Sequence, residues 1–218
     1  MLKRILAILL LPLATALVLA GCATGPSDSG NDRDDDSTSQ SDDDADEEES
    51  EAPAEGELAD PGTRVGVDEW LTHSFTSTDD GEALISSRLV SVEPATDEQA
   101  AAIVAAFDDG KVDGYDFFII QVEEKKESGD PVLYDSDYSY YDLIDEDGER
   151  VQEITIIGWD GCATESFTEE FDTAGATITQ CFIAGALDGD NEPAGVAYSG
   201  GYDDDNPYED APLLFIKD

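Results

Sequence analysis

Tyr115-Asp116-Phe117-Phe118-Ile119-Ile120-Gln121-Val122-Glu123-Glu124 is the stretch on which the fold turns. In an extended chain Tyr115, Phe117 and Ile119 point one way and Phe118, Ile120 and Val122 the other, so this strand is apolar on both faces. A strand of that kind belongs in the middle of a sheet covered from both sides. Working outward, period-two patterning predicts strands at 84–92, 176–187, 195–199 and 213–217, with a further one near 70–76. Residues 132–144 set Tyr134, Tyr138 and Tyr140 against Asp135, Asp137 and Ser139, which predicts a half-buried strand. Asp145-Glu146-Asp147-Gly148-Glu149 then reads as a turn, Asp147-Gly148 being a hairpin signal, and 151–159 as the returning strand.

About seven strands in roughly 150 residues predict a mainly β protein of sandwich architecture. One segment breaks the pattern. Thr96, Asp97, Glu98 and Gln99 spell a capping box, and Ala100, Ile103, Val104 and Phe107 follow at helical spacing before Gly110. Asp97 and Glu98 suit the positive end of a helix dipole. The reading is one short inserted helix with its stripe turned inward, covering a sheet edge or an open end of the core.

The chain has 218 residues, with Lys+Arg 10 against Asp+Glu 54 and a net charge of -44. That charge excludes nucleic acid and anionic headgroups as electrostatic partners. Hydrophobic residues still make up 40%, enough for a folded core. With one His, multi-His metal sites and His-based relays have little material, and the reading assigns no cofactor, no metal and no catalytic residue.

Residues 1–21 read as a secretory signal: Lys3 and Arg4 precede an apolar run at 5–19 that is short for a membrane span. Leu19-Ala20-Gly21-Cys22 closely resembles the lipobox of bacterial lipoprotein signals. The resemblance implies diacylglyceryl transfer to the Cys22 thiol, cleavage after Gly21 and further acylation, palmitate being a typical chain. Two or more acyl chains hold a protein durably on a bilayer, so the expected location is the extracytoplasmic face of the cell membrane. An uncleaved anchor, or an ordinary signal with a chance Cys, is the alternative. From 22 to 62 the sequence is Asp and Glu interleaved with Ser, Gly, Thr and Pro, Leu58 being its one large apolar residue. Such a segment lacks the apolar surface to offset chain entropy, which predicts a disordered acidic linker. A neutral flexible chain of that length spans roughly 35 Å, and like charges lengthen it. The sandwich domain is then 63–218.

Setting Cys22 aside leaves Cys162 and Cys181, an even pair in an exported chain, which predicts a disulfide. A reactive-thiol or metal pair is the alternative, without a CxxC or a nearby His to support it.

The run 117–124 followed by Ser128-Gly129-Asp130, then Asp145-Glu146-Asp147-Gly148-Glu149, Cys162, Phe171, Ala174-Gly175, Ile178-Thr179-Gln180-Cys181 and Val196-Ala197-Tyr198, resembles the telokin-like, immunoglobulin-like domain of Gram-positive lipoproteins. The resemblance spans about 63–218. It implies a β-sandwich on the outer face of the cytoplasmic membrane, with no established reaction.

No catalytic constellation stands out. His73 is alone, and aligning Gly148 as the sixth residue of an EF-hand puts Leu143 first and Ile154 twelfth, which fails. Asp188-Gly189-Asp190-Asn191-Glu192 and Asp203-Asp204-Asp205-Asn206 offer oxygen ligands for weak calcium binding on loops. Tyr134, Tyr138, Tyr140 and Tyr141 form the aromatic cluster suited to a sugar or a cation, or else to filling the core. The functional expectation is a lipid-anchored, non-enzymatic domain that binds an extracellular ligand or envelope protein. The alternatives are a passive envelope component and a carboxylate-based hydrolase of cell-wall glycan, which would need two facing acids in a cleft.

Residues 63–218 alone hold 38 acidic and 7 basic side chains. Self-repulsion of that size is relieved by screening, with a Debye length of about 8 Å at physiological ionic strength. The melting temperature of the full chain therefore rises from dilute buffer to molar NaCl. A midpoint that stays flat or falls would mean the acidity serves solubility only.

Overall fold

The computed structural model describes residues 56–107, 110–173, 175–187, 190–201 and 206–217. The signal at 1–21, Cys22, the acidic segment as far as 55, Asp188, Gly189 and Asp203 to Asp205 lie outside the described residues.

The elements are β1 (Arg64–Val65), β2 (Leu71–Thr76), β3 (Glu82–Pro94), α1 (Asp97–Ala106), β4 (Tyr115–Gly129), β5 (Tyr141–Ile144), β6 (Gln152–Glu153), β7 (Thr177–Leu187), β8 (Gly195–Tyr198) and β9 (Leu213–Ile216). They form a five-stranded sheet in the order β2-β3-β4-β7-β6 and a four-stranded sheet in the order β1-β9-β8-β5. The spatial orders β3-β4-β7-β6 and β5-β8-β9 reproduce the ABED and CFG sheets of an immunoglobulin-like sandwich. β2 and β1 each add an edge strand, β1 running parallel to β9. Among the described residues no helix is long and apolar enough to cross a membrane.

β4 occupies the middle of its sheet, and both its faces are covered. Phe118, Ile120 and Val122 enter the core between the sheets with Leu89, Phe182, Val196 and Phe215. Phe117 and Ile119 face the other way, into a second cluster with Ile103 of α1, Val112, Ile154 and Ile183. α1 begins as its sequence dictates. The Thr96 hydroxyl accepts the Gln99 N–H, and the Gln99 side chain accepts the Thr96 N–H. Its buried stripe is narrower than expected, with Ile103 buried, Ala100 and Phe107 half-buried and Val104 exposed. The helix covers the outer face of β4 and β7, rather than a sheet edge or an open end of the core.

Two predicted strands are mostly something else. Of 132–144 only Tyr141–Ile144 is strand, because Tyr134 takes a left-handed φ of 70° and Tyr138–Tyr140 coil into a 3₁₀ turn. The backbone there pairs with a distant loop instead: Tyr134 N–H donates to the Phe167 carbonyl and Phe167 N–H to that of Asp135. Of 151–159 only Gln152–Glu153 is strand. This segment changes sheets: Val151 N–H bonds to Leu143 of β5, then Gln152 and Glu153 pair with β7, and Gly158 turns the chain with a φ of 76°.

The same device closes the opposite side of the sandwich. Leu58 bridges to Thr72 of β2, and six residues later the chain pairs with β9 as β1. The folded unit thus begins before residue 63. Ala59 is buried, donates its N–H to Thr72, and receives the Tyr208 hydroxyl on its carbonyl at 3.2 Å.

Cys162 and Cys181 are joined, their Cα atoms 5.1 Å apart, which fastens the loop after β6 to β7. The bond closes a loop of sequence separation 19. Replacing both cysteines by serine should lower unfolding free energy by about 3 kcal/mol on the chain-entropy account. Urea unfolding of the full chain against the double variant measures it, and equal midpoints would mean the loop is held by packing alone.

Candidate functional site

The inner stripe of β4 does not stop at Val122. The same parity carries Glu124 and Lys126 toward the space between the sheets, and Glu124 is completely buried. A carboxyl in that position must be hydrogen-bonded or neutral. Glu124 receives the Tyr141 hydroxyl of β5 on Oε1 at 2.7 Å and the Gln180 amide of β7 on Oε2 at 2.9 Å. Gln180 is itself fixed by the backbone of Glu165, donating to its carbonyl at 3.0 Å and accepting its N–H at 2.8 Å.

The chain of contacts runs on through the core. Ser87, the register partner of Glu124 on β3, lies 2.8 Å from the Tyr141 hydroxyl and 2.9 Å from His73 Nε2. We assign the His73 hydrogen to Nε2, because each short contact then has its own proton: His73 to Ser87, Ser87 to Tyr141, Tyr141 to Glu124. The His73 ring packs on Tyr198 of β8, with centroids 3.8 Å apart. Six strands and both sheets thereby share one cluster. Burial lowers the His73 pKa to about 3, against a weak opposing pull from the Ser74 carbonyl, so the ring is neutral at ordinary pH.

Asp137 completes the cluster from the 130–140 loop. It precedes the 3₁₀ turn at the usual capping position, yet its side chain makes no capping bond. The carboxyl is wholly buried, and neither oxygen has a hydrogen bond of acceptable geometry. Its neighbour there is the Glu124 carboxyl. Burial first, then the Glu124 charge, push Asp137 well above the usual carboxylate range, and burial raises Glu124. The direction we draw is common to both: together they hold a proton that free carboxyls would release. Burial and the two carboxyls also raise the Tyr141 and Tyr198 hydroxyls well above their ordinary value.

Lys126, two residues on, is buried as well and pairs with Asp172, not with this cluster. Burial works to raise Asp172, but the Lys126 ammonium and the Val132 N–H outweigh it and leave the carboxyl below its ordinary value.

Of the residues singled out from sequence, His73 is a core residue and Tyr141 belongs to the polar cluster. Tyr134 is 81% exposed, while Tyr138 and Tyr140 are half-buried, so the four tyrosines do not form one face. In the 145–149 turn, Asp145 accepts the N–H groups of Asp147 and Glu149 and the Asn191 amide, and Asp190 accepts the Leu187 N–H. Among the described residues no three His, Cys, Asp or Glu side chains are gathered to hold a metal. Asp203 to Asp205 lie outside them. Glu124, Asp137, Ser87 and Gln180 escaped the sequence reading. Parity along 118–126 was the available signal for Glu124, whereas nothing local marks Asp137 as its neighbour.

On the surface, a groove of about 580 Å³ opens between β5 and the loop 154–164. Tyr138, Asp142, Ile156, Thr164 and the Cys162–Cys181 bond line it, with Ile157 at the rim 96% exposed. Glu124 and Asp137 do not reach it. No protein-family model, curated protein or solved structure matches the chain.

A ring that is neutral when folded and basic when unfolded gives stability a slope. Between pH 6.5 and about 3 the unfolded chain takes up a proton at His73 that the folded chain refuses, so this contribution falls with pH by about 1.4 kcal/mol per unit. His73→Gln should remove that slope. Urea midpoints of both proteins across the window test this, and identical pH dependence would show that His73 titrates normally.

Proposed function

We propose that the protein is a lipoprotein of the extracytoplasmic membrane face, anchored through acylated Cys22, whose acidic segment carries a non-enzymatic immunoglobulin-like domain outward to bind an envelope protein or extracellular ligand. The domain is of the telokin-like kind that the sequence resembles. The observation that carries the non-enzymatic reading is the sealing of its reactive groups. Glu124, Asp137, His73 and Ser87 are the acids, base and hydroxyl whose surroundings resemble a catalytic centre, and all four are buried away from the grooves. Two acids do face each other, but inside the closed core and not across the cleft that a glycan hydrolase requires.

What remains accessible is a binding surface. The groove beside β5 combines an apolar floor, half-buried Tyr138, the Asp142 carboxylate and the exposed Ile157, on a loop held by the disulfide. Ile157 extends the apolar part of that groove outward to its rim, where a partner's apolar side chain could cover it. The strong negative charge favours a partner that is neutral or basic there.

Full-length protein should incorporate labelled palmitate and sediment with membranes, whereas Cys22→Ser should do neither. Equal labelling and sedimentation of the variant would overturn the anchor. Cross-linking of the full chain from Ile157→Cys should capture an envelope component that an Ile157→Asp chain fails to retain. Retention by the Asp variant would move the binding face elsewhere.

A further inference from the structure

Two carboxyls from different elements face each other inside the sandwich, and among the described residues the groups around them supply no cation. Glu124 comes from β4 and Asp137 from the turn before β5. From β2 the cluster receives His73, neutral in its buried setting; from β3, Ser87; from β5, Tyr141; from β7, Gln180; and from β8, Tyr198. Tyr140 and Tyr208 bear on Tyr198 from the loops. Lys126 shares the strand face with Glu124 but is committed to Asp172. Glu124 already accepts two hydrogen bonds, as a carboxylate would, while Asp137 accepts none. A proton on Asp137, directed at Glu124, gives that side chain the partner it otherwise lacks and reduces the pair to one charge.

We infer that Glu124 and Asp137 are held together in the core by one shared proton, and that its loss releases the 130–140 segment, making this segment a latch that loosens as pH rises. Two bare carboxylates cannot stay in contact without water or a cation, and Asp137 is the member that can leave. Glu124 is fixed in the central strand by pairing on both sides, whereas Asp137 sits in a loop without strand pairing, held at its start by buried Val132, whose N–H meets the Asp172 carboxylate, by Thr78 on Asp135 and by the Tyr134 and Asp135 bonds to Phe167.

The sign follows from proton balance. The closed state holds one proton that the opened state gives to solvent base, so opening becomes more favourable as pH rises. The range starts above the ordinary carboxylate value of 3.8 and ends where the closed pair itself ionises. Within it the opening constant grows about tenfold per pH unit for one proton. Tyr141 and Tyr198 hold their protons over the same range, since burial and the carboxyls push them upward. His73 acts in the opposite direction, between pH 6.5 and about 3, and on unfolding of the whole domain.

The test uses the full chain and two readouts. Hydrogen exchange, corrected for the intrinsic pH dependence of the amide, should show protection at 132–140 falling about tenfold per unit across this range, while the amides of β4 and β7 hold. Asp137→Asn, which donates a hydrogen bond without ionising, should keep that protection level. Infrared spectra of the folded wild type at neutral pH should contain the carbonyl band of a protonated carboxylic acid, absent in Asp137→Asn; in Glu124→Gln, where burial still keeps the Asp137 proton, the band should persist at a shifted frequency. Should either variant fail to fold, the wild-type band decides. A folded wild type without the band, or equal pH dependence of 132–140 in wild type and Asp137→Asn, would overturn the latch.

Discussion

Strand β4 has no face left for water, and the remaining architecture answers that constraint. Its even-numbered side chains require a second sheet, which β5, β8 and β9 supply. Its odd-numbered ones require a further cover, supplied by α1 and the disulfide-bound loop. An immunoglobulin-like sandwich normally leaves its outer faces to solvent. Here one outer face is packed, which makes the middle of the protein three layers deep. It is also why a helix stands between β3 and β4 where a short hairpin would otherwise serve.

Depth has a consequence for polar groups. A charged residue placed on the inner face of β4 cannot reach solvent by extending its side chain, so it must find partners across the sheets. Glu124 does so through Tyr141 and Gln180, which ties both sheets to one carboxyl. Lys126 does so through Asp172, tying the strand end to the loop before β7. These contacts fix register in a way that apolar packing does not, since a slip of one residue would turn both charges to the opposite face. Asp137 is the exception, a buried acid whose one counterpart is another acid.

The sandwich also manages its open sides. Residues 58–65 hydrogen-bond first to one sheet and then to the other, and 150–153 do the same on the far side. Each crossing covers an edge that would otherwise invite pairing with another chain. Such crossings cost strand length, and this is the physical reason that 151–159 carries a strand-like pattern yet only two residues of strand. Surface charge completes the protection, because the acids that the core does not use repel neighbouring copies.

The sequence alone determined what depends on local periodicity and on counting. Strands β2, β3, β4, β7, β8 and β9, the capping box of α1, and the pairing of Cys162 with Cys181 were all legible, because alternation, caps and an even cysteine count are properties of short segments or of totals. Tertiary structure decided the rest. Tyr134, Tyr138 and Tyr140 alternate like a strand, yet the backbone there bonds to the Phe167 loop, and no local pattern records a partner thirty residues away. Leu58 looked like a stray apolar residue in an acidic segment until Thr72 gave it a neighbour. The meeting of Glu124 with Asp137 belongs to this class. Parity tells which way a side chain points, but only the folding of distant elements onto one another decides what it meets.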